Sequence, residues 1–177
     1  MPILITIAGP IAAGKNTVAD LLAEHCLNSG RTAVVVDVDD VADMVVAPGG
    51  AGAAGLWVAA HEAHGALVEQ WMRSEVDVVI AVGPIYDQAE QDALFGRLPP
   101  DARPCRVLID APLAVTWQRV TADTHRGLSR QRAFHESAHA RYRSLMPSIP
   151  ADLTFNSANT SATDIAITIL KTTGIAR

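Results

Sequence analysis

The segment from residue 9 to residue 17 constrains this chain more than any other feature. It reads Gly-Pro-Ile-Ala-Ala-Gly-Lys-Asn-Thr, which fits the spacing G-x-x-x-x-G-K. Glycines at this spacing let the backbone curl so that successive N–H groups point at one centre, and the lysine can reach the outer phosphates of a nucleotide. The segment predicts binding of a nucleoside triphosphate. Its expected contacts are Gly9, Ile11, Ala12, Ala13, Gly14, Lys15, Asn16 and Thr17.

The sequence on either side of this segment, which we call the P-loop, supplies the context that the motif requires. Residues 3–8 form an apolar, β-branched run typical of a parallel strand that is buried on both faces. After the loop, Val18, Leu22 and Cys26 recur at helical spacing, and Gly30 marks the expected end of a helix. A strand before the loop and a helix after it favour phosphate binding over a glycine-rich turn that binds nothing.

The composition of the chain limits its class. Its 177 residues, 49% of them hydrophobic, suffice for one core, so we expect a single domain over residues 1–177. A net charge of −5 argues against nucleic-acid or membrane-surface partners, and no apolar run is long enough to span a membrane. Two cysteines are too few for a disulfide framework and fit a reducing cytoplasm. The oligomeric state is left open.

Strand-like and helix-like segments alternate along the chain. Four more strands are expected, at residues 32–39, 76–83, 104–111 and 151–157. This alternation predicts an α/β fold in which helices cover both faces of a parallel sheet. Helices are expected at 56–74, from Asp87 to about Gly96, and from Ser161 onward. The glycine-rich segment 48–55 is expected to form a mobile loop over a substrate.

The end of the second strand carries an acidic cluster. In a parallel sheet, ligands bind beyond the carboxyl ends of the strands, so acids there are the first candidates for chemistry. Asp39 is the expected general base, because it lies further out than Asp37 and can take a proton from a substrate hydroxyl. Asp40 is expected to cap the next helix or to support a metal. The alternative is that the cluster only caps a helix.

Arginine is concentrated late in the chain. Six arginines lie between residues 119 and 143, against only Asp123 and Glu136 in the same segment. A local excess of arginine in an acidic protein favours polyphosphate binding over the alternative, a solvated helix face.

The P-loop, the acid-ended second strand and the arginine-rich segment occur in the order seen in the P-loop kinases of small molecules. The chain resembles shikimate, gluconate and adenylate kinases and chloramphenicol phosphotransferase over nearly its whole length. The resemblance implies a P-loop NTPase fold with a five-stranded parallel sheet and an arginine-rich lid at about residues 124–133. It also implies ATP, or GTP, with magnesium as cofactors. By this likeness Arg119 packs on the nucleotide base, while Arg126 and Arg130 neutralise the transferring charge.

Two features depart from the family pattern. Asn16 stands where the motif has a Ser or Thr that binds magnesium, with a hydroxyl one place later at Thr17, and the third strand carries no acid. We therefore expect magnesium to be held mainly by nucleotide and water, with help from Asn16, Asp39 and Asp40. A degenerate site that only binds nucleotide is the alternative.

The predicted function is transfer of the terminal phosphate of ATP to a hydroxyl of a small molecule. The family places substrate contacts on the long helix and after the third strand, which points to Trp57, His61 and Tyr86. The region from residue 41 to residue 69 has no Lys or Arg, which favours a neutral sugar, a nucleoside or an antibiotic-like alcohol. The alternatives are a nucleoside or nucleotide kinase and, in another class, a nucleotide-binding regulator or slow NTPase.

Overall fold

The central element is a parallel sheet in which the strand before the P-loop lies in the middle. The computed structural model describes residues 1–124 and 127–176. In that part of the chain, five parallel strands are ordered β2-β3-β1-β4-β5. The strands are β1 (Ile3–Ala8), β2 (Ala33–Asp37), β3 (Val78–Val82), β4 (Cys105–Asp110) and β5 (Leu153–Asn156). The predicted α/β fold and its five-stranded parallel sheet are confirmed.

Helices connect the strands. Within the described residues they are α1 (Lys15–Asn28), α2 (Val38–Asp43), α3 (Gly50–Ala53), α4 (Trp57–Met72), α5 (Gln88–Phe95), α6 (Leu113–Ala122), α7 (Arg132–Leu145) and α8 (Ala162–Thr172). Short 3-10 turns lie at Leu128–Arg130 and Met146–Ser148. None of the helices in this part of the chain combines the length and the apolar character needed to cross a membrane.

The alternation of side chains along β1 divides the core between the two faces of the sheet. Ile5 and Ile7 point to one face, where α1 and α8 cover them. Leu4 and Ala8 point to the other face, towards apolar side chains of α4, α5 and α7. Full burial of one such aliphatic side chain contributes about 1.5–3 kcal/mol, so each face is held by its own apolar layer. Helices therefore cover both faces, as the sequence predicts.

Two helix starts expected from the sequence are confirmed. Asp87 accepts from the backbone N–H of Glu90, and the Glu90 side chain accepts in return from the backbone N–H of Asp87, which forms a complete capping box at α5. Ser161 accepts from the N–H of Asp164 at the start of α8. Each cap satisfies N–H groups that have no partner within the helix.

The second strand is shorter than predicted. It ends at Asp37 instead of Asp39, because the Asp37 carboxylate accepts from the backbone N–H of Asp39 at 2.9 Å and starts α2 there. Asp39 and Asp40 thus lie in the first turn of a helix, and the prediction that Asp40 caps it is wrong. An aspartate at the N-cap position is among the most favourable residues for this turn.

The segment expected to be a mobile loop is partly helical. α3 occupies residues 50–53, and its Ala51 is buried against Ala42 of α2 and Ala60 of α4. Small side chains on all three helices allow this close packing. The segment 48–55 therefore contains a short helix, and its mobility over a substrate stays a prediction.

Candidate active site

The P-loop is shaped by two glycines in conformations that favour glycine. Gly9 has φ +155°, and a Cβ on it would lie 2.1 Å from the carbonyl oxygen of Ile109 in β4. Gly14 has φ +99° and is the N-cap of α1. Because glycine has no side chain to bond to the first N–H groups of α1, these donors remain directed into the loop, as an anion site requires.

The Lys15 side chain folds back over the first residues of the P-loop. Its ammonium group donates to the carbonyl oxygens of Gly9 at 3.0 Å and Pro10 at 3.2 Å. These two contacts hold the positive charge at the mouth of the loop. A phosphate group bound there would attract the same ammonium group.

Asn16 connects the start of α1 to the end of β2. Its side-chain nitrogen donates to Oδ2 of Asp37 at 2.6 Å, while Oδ1 of Asp37 accepts from the N–H of Asp39. Asp37 is buried, whereas Asn16 is exposed. Since the amide nitrogen is used in this bond, the amide oxygen of Asn16 is the atom left for a cation or for water.

Asp37 makes both of these bonds, although the sequence pattern favoured Asp39 as the functional acid of this cluster. The signal that could have identified Asp37 is the run Asp-Val-Asp-Asp, in which an aspartate precedes two more acids in a first helical turn. That pattern is typical of an N-cap. The prediction that residues 37–39 end a strand did not take this N-cap pattern into account.

Asp39 is accessible to solvent, yet its carboxylate stands among surrounding protein atoms. This partial loss of hydration raises the Asp39 pKa, and the charge of Asp37 raises it further, while the nearby Lys15 ammonium group opposes the rise. The pKa of Asp40 is also raised, by burial and by the charges of Asp37 and Asp43. The acids on α2 therefore repel each other, which a cation or a proton would relieve.

The oxygen atoms near α2 fit magnesium only as a partial shell. Among residues 1–124 and 127–176, no group of three His, Cys, Asp or Glu side chains is placed to hold a metal. The amide oxygen of Asn16 and the carboxylates of Asp39 and Asp40 are hard donors of the kind that Mg²⁺ prefers. Magnesium here would need further ligands from phosphate and water, and that is how it commonly binds.

A hollow of about 390 Å³ lies beside the P-loop, between α1 and the start of α8. Its wall includes Ala12, Gly14, Thr17, Arg119, Ser157 and Thr160. The hollow adjoins the P-loop, whose residues Ala12, Ala13 and Gly14 form part of its wall.

Arg119 connects this hollow to the P-loop. Its guanidinium group donates to the carbonyl oxygens of Ala12 and Ala13, each at 3.2 Å, and to the hydroxyl and carbonyl oxygens of Ser157 at 2.9 Å and 2.8 Å. Ser157 in turn donates from its hydroxyl to Ala13 at 2.7 Å. The N–H groups of Arg119 thus stabilise the P-loop through hydrogen bonds. If Arg119 stacks on a nucleotide base, it must do so through the flat face of its guanidinium group.

Arg141 and Arg143 form ion pairs with acids of other elements. Arg141 donates to Asp87 at 2.6 Å and to Glu90 at 2.7 Å, and Arg143 donates to Asp110 at 3.0 Å. These acids lie outside the arginine-rich segment, so counting charge within that segment alone overestimated its excess. These ion pairs account for the charge of Arg141 and Arg143, and phosphate binding by either residue stays a prediction that this geometry does not favour.

The remaining arginines of the segment, Arg126, Arg130 and Arg132, differ in their surroundings. Arg130 is exposed at the end of a 3-10 turn. Arg132 donates to Glu136 at 2.6 Å and lies over the Trp117 ring. Arg126 lies outside the described residues. The roles of Arg126 and Arg130 stay predictions.

Three comparisons set this geometry beside known proteins. No protein-family model matches the chain, and no curated protein matches it in sequence. Among solved structures, shikimate kinase from Acinetobacter baumannii in complex with shikimate is 21% identical, with a TM-score of 0.60 over 97% of this chain and 93% of that one. Shikimate kinase from Aquifex aeolicus is 17% identical, with a TM-score of 0.56 over 96% and 95%. The Deinococcus radiodurans tunicamycin resistance protein is 17% identical, with a TM-score of 0.68 over 98% and 96%.

The chain has the fold of these two shikimate kinases and of the tunicamycin resistance protein. The resemblance stated from the sequence is confirmed at this level, and the likeness covers nearly the whole of each chain compared.

Two of the predicted substrate residues, Trp57 and His61, lie together on α4. The His61 ring and the half-buried Trp57 ring are in a T-shaped arrangement at a centroid distance of 5.3 Å. His61 is buried, and its Nε2 lies 3.9 Å from Glu90 without a hydrogen-bond partner among the described residues. Burial lowers the His61 pKa, although the nearby acids oppose this. Substrate contact by either residue stays a prediction.

Tyr86, the third predicted substrate residue, faces the P-loop. Its hydroxyl donates to the carbonyl oxygen of Gly9, and its backbone N–H donates to Glu90 at 2.7 Å. The ring is buried beside that of Tyr142, at a centroid distance of 5.4 Å. The hydroxyl is therefore engaged with protein, and substrate contact by Tyr86 stays a prediction that this geometry does not favour.

Proposed function

We propose that this chain is an ATP-dependent phosphotransferase that moves the terminal phosphate to a hydroxyl of a small molecule. The observation that carries the proposal is the position of Lys15 and Asp39 beyond the carboxyl ends of β1 and β2. They are close enough for the Lys15 charge to act on the Asp39 pKa. Phosphoryl transfer from a nucleotide needs groups that bind the phosphates and a group that orients or deprotonates the acceptor, and the P-loop and the accessible Asp39 carboxylate can supply them.

The nucleotide would lie along the P-loop with its base in the neighbouring hollow. The loop N–H groups and Lys15 would hold the phosphates. The flat face of Arg119 would stack on the base while its N–H groups keep their bonds to Ala12, Ala13 and Ser157. GTP remains an alternative donor.

Asp39 would act as the general base. As the acceptor hydroxyl oxygen forms a bond to the terminal phosphorus, its proton passes to the Asp39 carboxylate, and the bond from phosphorus to the bridging oxygen breaks to release ADP. Arg126 and Arg130, in the proposed lid at about residues 124–133, would neutralise charge on the transferring group. Closure of the lid would exclude water from the reaction.

Magnesium would be held by Asn16, Asp39 and Asp40 together with phosphate oxygens and water. When bound, the ion neutralises charge on the phosphates. The Asn16–Asp37 bond would fix the direction of the Asn16 amide and leave its oxygen available to the ion.

The charges around α2 favour a neutral acceptor. Asp39, Asp40 and Asp43 lie on or at the end of this helix, and residues 41–69 include no Lys or Arg. An anionic acceptor such as shikimate would be repelled unless the lid supplied arginine. A neutral sugar, a nucleoside or an antibiotic-like alcohol fits better.

The direct test is release of ADP with a panel of hydroxylated compounds. The panel should contain sugars, nucleosides, nucleotides, shikimate and tunicamycin, the last two because structural neighbours carry those names. One acceptor should accelerate ADP release in the wild type and not in Lys15→Met. A nucleotide acceptor would instead make the chain a nucleotide kinase. Nucleotide binding without acceleration by any acceptor would favour a regulator or slow NTPase.

A further inference from the structure

Ala12 gives the middle of the P-loop an unusual backbone conformation. Its φ is +58°, and within residues 1–124 and 127–176 it is the one residue other than glycine with a positive φ. A side chain makes this left-handed conformation costly, because the Cβ atom approaches the following carbonyl oxygen. A left-handed residue can nevertheless turn successive N–H groups toward one concave anion site. The loop therefore depends on further contacts to keep Ala12 in this conformation.

Such contacts come from two elements that are distant in sequence. The Arg119 guanidinium of α6 donates to the carbonyl oxygens of Ala12 and Ala13 at 3.2 Å each. Ser157, which directly follows β5, donates from its hydroxyl to the Ala13 carbonyl oxygen at 2.7 Å. Arg119 also donates to the hydroxyl and the carbonyl oxygen of Ser157, so the two residues act on the loop as one unit.

These bonds also fix the direction of a donor in the loop. A peptide group is planar and trans, so the carbonyl of Ala13 and the N–H of Gly14 point in opposite directions. Hydrogen bonds that hold this carbonyl toward Arg119 and Ser157 therefore direct the Gly14 N–H away from them. Ala13 is buried, and Arg119 and Ser157 are half-buried, so water competes poorly for the same carbonyl.

We propose that Arg119 is a positioning residue of the phosphate site, which together with Ser157 holds the left-handed Ala12 in the conformation that binds phosphate. The N–H groups of the guanidinium perform this role, so it is separate from stacking of its flat face on a base. The proposal rests on the proposed function only in that the P-loop binds the phosphates of a nucleotide. It requires that a ligand without a base also depends on Arg119.

The first test compares Mg·ADP with magnesium tripolyphosphate, which has phosphates but no base. The dissociation constant of each ligand is measured by calorimetry for the full chain. Arg119→Ala should weaken both ligands by about five- to thirtyfold, the equilibrium cost of one left-handed residue with a side chain. A residue that only stacked on the base would affect Mg·ADP alone.

Arg106→Ala is the matched control for the loss of one positive charge. Arg106 lies near the start of β4, at the edge of the sheet opposite the P-loop, where it donates to Asp152 at 3.1 Å and 2.9 Å. Exposed charges at this separation are largely screened by salt, so Arg106→Ala should leave both dissociation constants within about twofold.

Rescue by glycine at residue 12 is the decisive test. Glycine adopts the left-handed conformation about as readily as the right-handed one, so it needs less support from Arg119. Adding Ala12→Gly to Arg119→Ala should improve the affinity for either ligand by about threefold or more, whereas Ala12→Gly alone should change it by less than about threefold. A lost contact between the Arg119 charge and a phosphate would not be restored by a change at residue 12.

Ser157→Ala is a second variant that keeps every arginine. It removes the hydroxyl that donates to Ala13 and accepts from Arg119. Both ligands should bind about two- to fivefold more weakly, the effect of about one net hydrogen bond. Circular dichroism establishes that each variant is folded, and the dissociation constants then refer to the folded protein.

The possible failures are distinguishable. If the wild type binds neither ligand, the proposed function fails with this inference. If it binds both but Arg119→Ala leaves tripolyphosphate binding unchanged, or Ala12→Gly restores none of the loss, the positioning role alone is overturned. If the wild type binds Mg·ADP only, rescue by Ala12→Gly decides with that ligand. Should Arg119→Ala fail to fold, unchanged affinity in Ser157→Ala overturns the role.

Discussion

Asp37 is a buried carboxylate whose two oxygens accept from different elements. Asn16 of α1 bonds to one oxygen and the N–H of Asp39 in α2 bonds to the other. The Asp37 carboxylate therefore joins α1, the helix of the P-loop, to α2, the helix that carries Asp39 and Asp40. At this residue scale, the site depends on a side chain that performs no chemistry itself.

Removing the amide of Asn16 tests this connection. Asn16→Ala should lower the free energy of unfolding by about 1–2 kcal/mol, because a hydrogen bond to a charged, buried group is lost. Denaturant unfolding measures the change, with Thr17→Ala as the neighbouring exposed control. A loss no larger than that of the control would mean that the bond contributes nothing to stability. Magnesium should also improve nucleotide affinity less in Asn16→Ala than in the wild type.

The raised pKa of Asp39 predicts how the rate depends on pH. A general base must be ionised, so kcat/KM should fall as pH drops through the Asp39 pKa. Since burial and the Asp37 charge raise that pKa, the fall should begin at a higher pH than for an ordinary carboxyl group, whose pKa is about 4. Asp39→Asn should lower kcat by about 10²–10⁴-fold, remove this limb of the profile and nearly preserve nucleotide affinity. Wild-type transfer by Asp39→Asn would contradict the assignment.

At the scale of elements, α5 is held to α7 by the side chains of its own cap. Asp87 and Glu90 form the capping box of α5, and the same two carboxylates accept from Arg141 of α7. The cap and the ion pair can be separated by substitution. The cap should contribute more to the free energy of unfolding than the Arg141–Asp87 ion pair, because that pair is partly exposed to solvent.

Asp87→Ala removes both interactions, whereas Asp87→Asn keeps a cap and loses only the charge. Asp87→Ala should destabilise the protein by about 1–2 kcal/mol, and Asp87→Asn by about 0.5 kcal/mol or less. Chemical denaturation of the two variants beside the wild type measures the difference. An equal loss in both would assign the stability to the ion pair instead of the cap.

The elements also show what local sequence can and cannot predict. The apolar strands, the capping box at Asp87 and the P-loop are encoded by neighbouring residues, and they were predictable. The end of β2 depends on whether one carboxylate captures a backbone N–H two residues later, which periodicity does not report. The partners of Arg141 and Arg143 lie 33 to 54 residues away, so their charge could not be assigned from a local count.

At the scale of the whole molecule, the P-loop lies where the two apolar layers meet. β1 contributes Ile5 and Ile7 to one layer and Leu4 and Ala8 to the other, then leads directly into Gly9. Gly9 also touches the backbone of β4. A ligand bound at the loop therefore engages the centre of the fold, and its binding free energy should appear as stability of the entire chain.

This coupling can be measured by thermal unfolding. ATP at a hundred times its dissociation constant should stabilise the folded state by about 2.7 kcal/mol, which corresponds to a rise in Tm of about 5–10 °C for a chain of this length.

Gly9→Ala should abolish this rise in Tm, because its Cβ would lie 2.1 Å from the Ile109 carbonyl oxygen and force the loop away from β4. Gly30→Ala is the matched control: Gly30 has φ +69° but open space around it, so alanine adds backbone strain far from the loop. Gly30→Ala should lower Tm without ATP and keep the full rise with ATP, and a full rise in Gly9→Ala would contradict nucleotide binding at the P-loop.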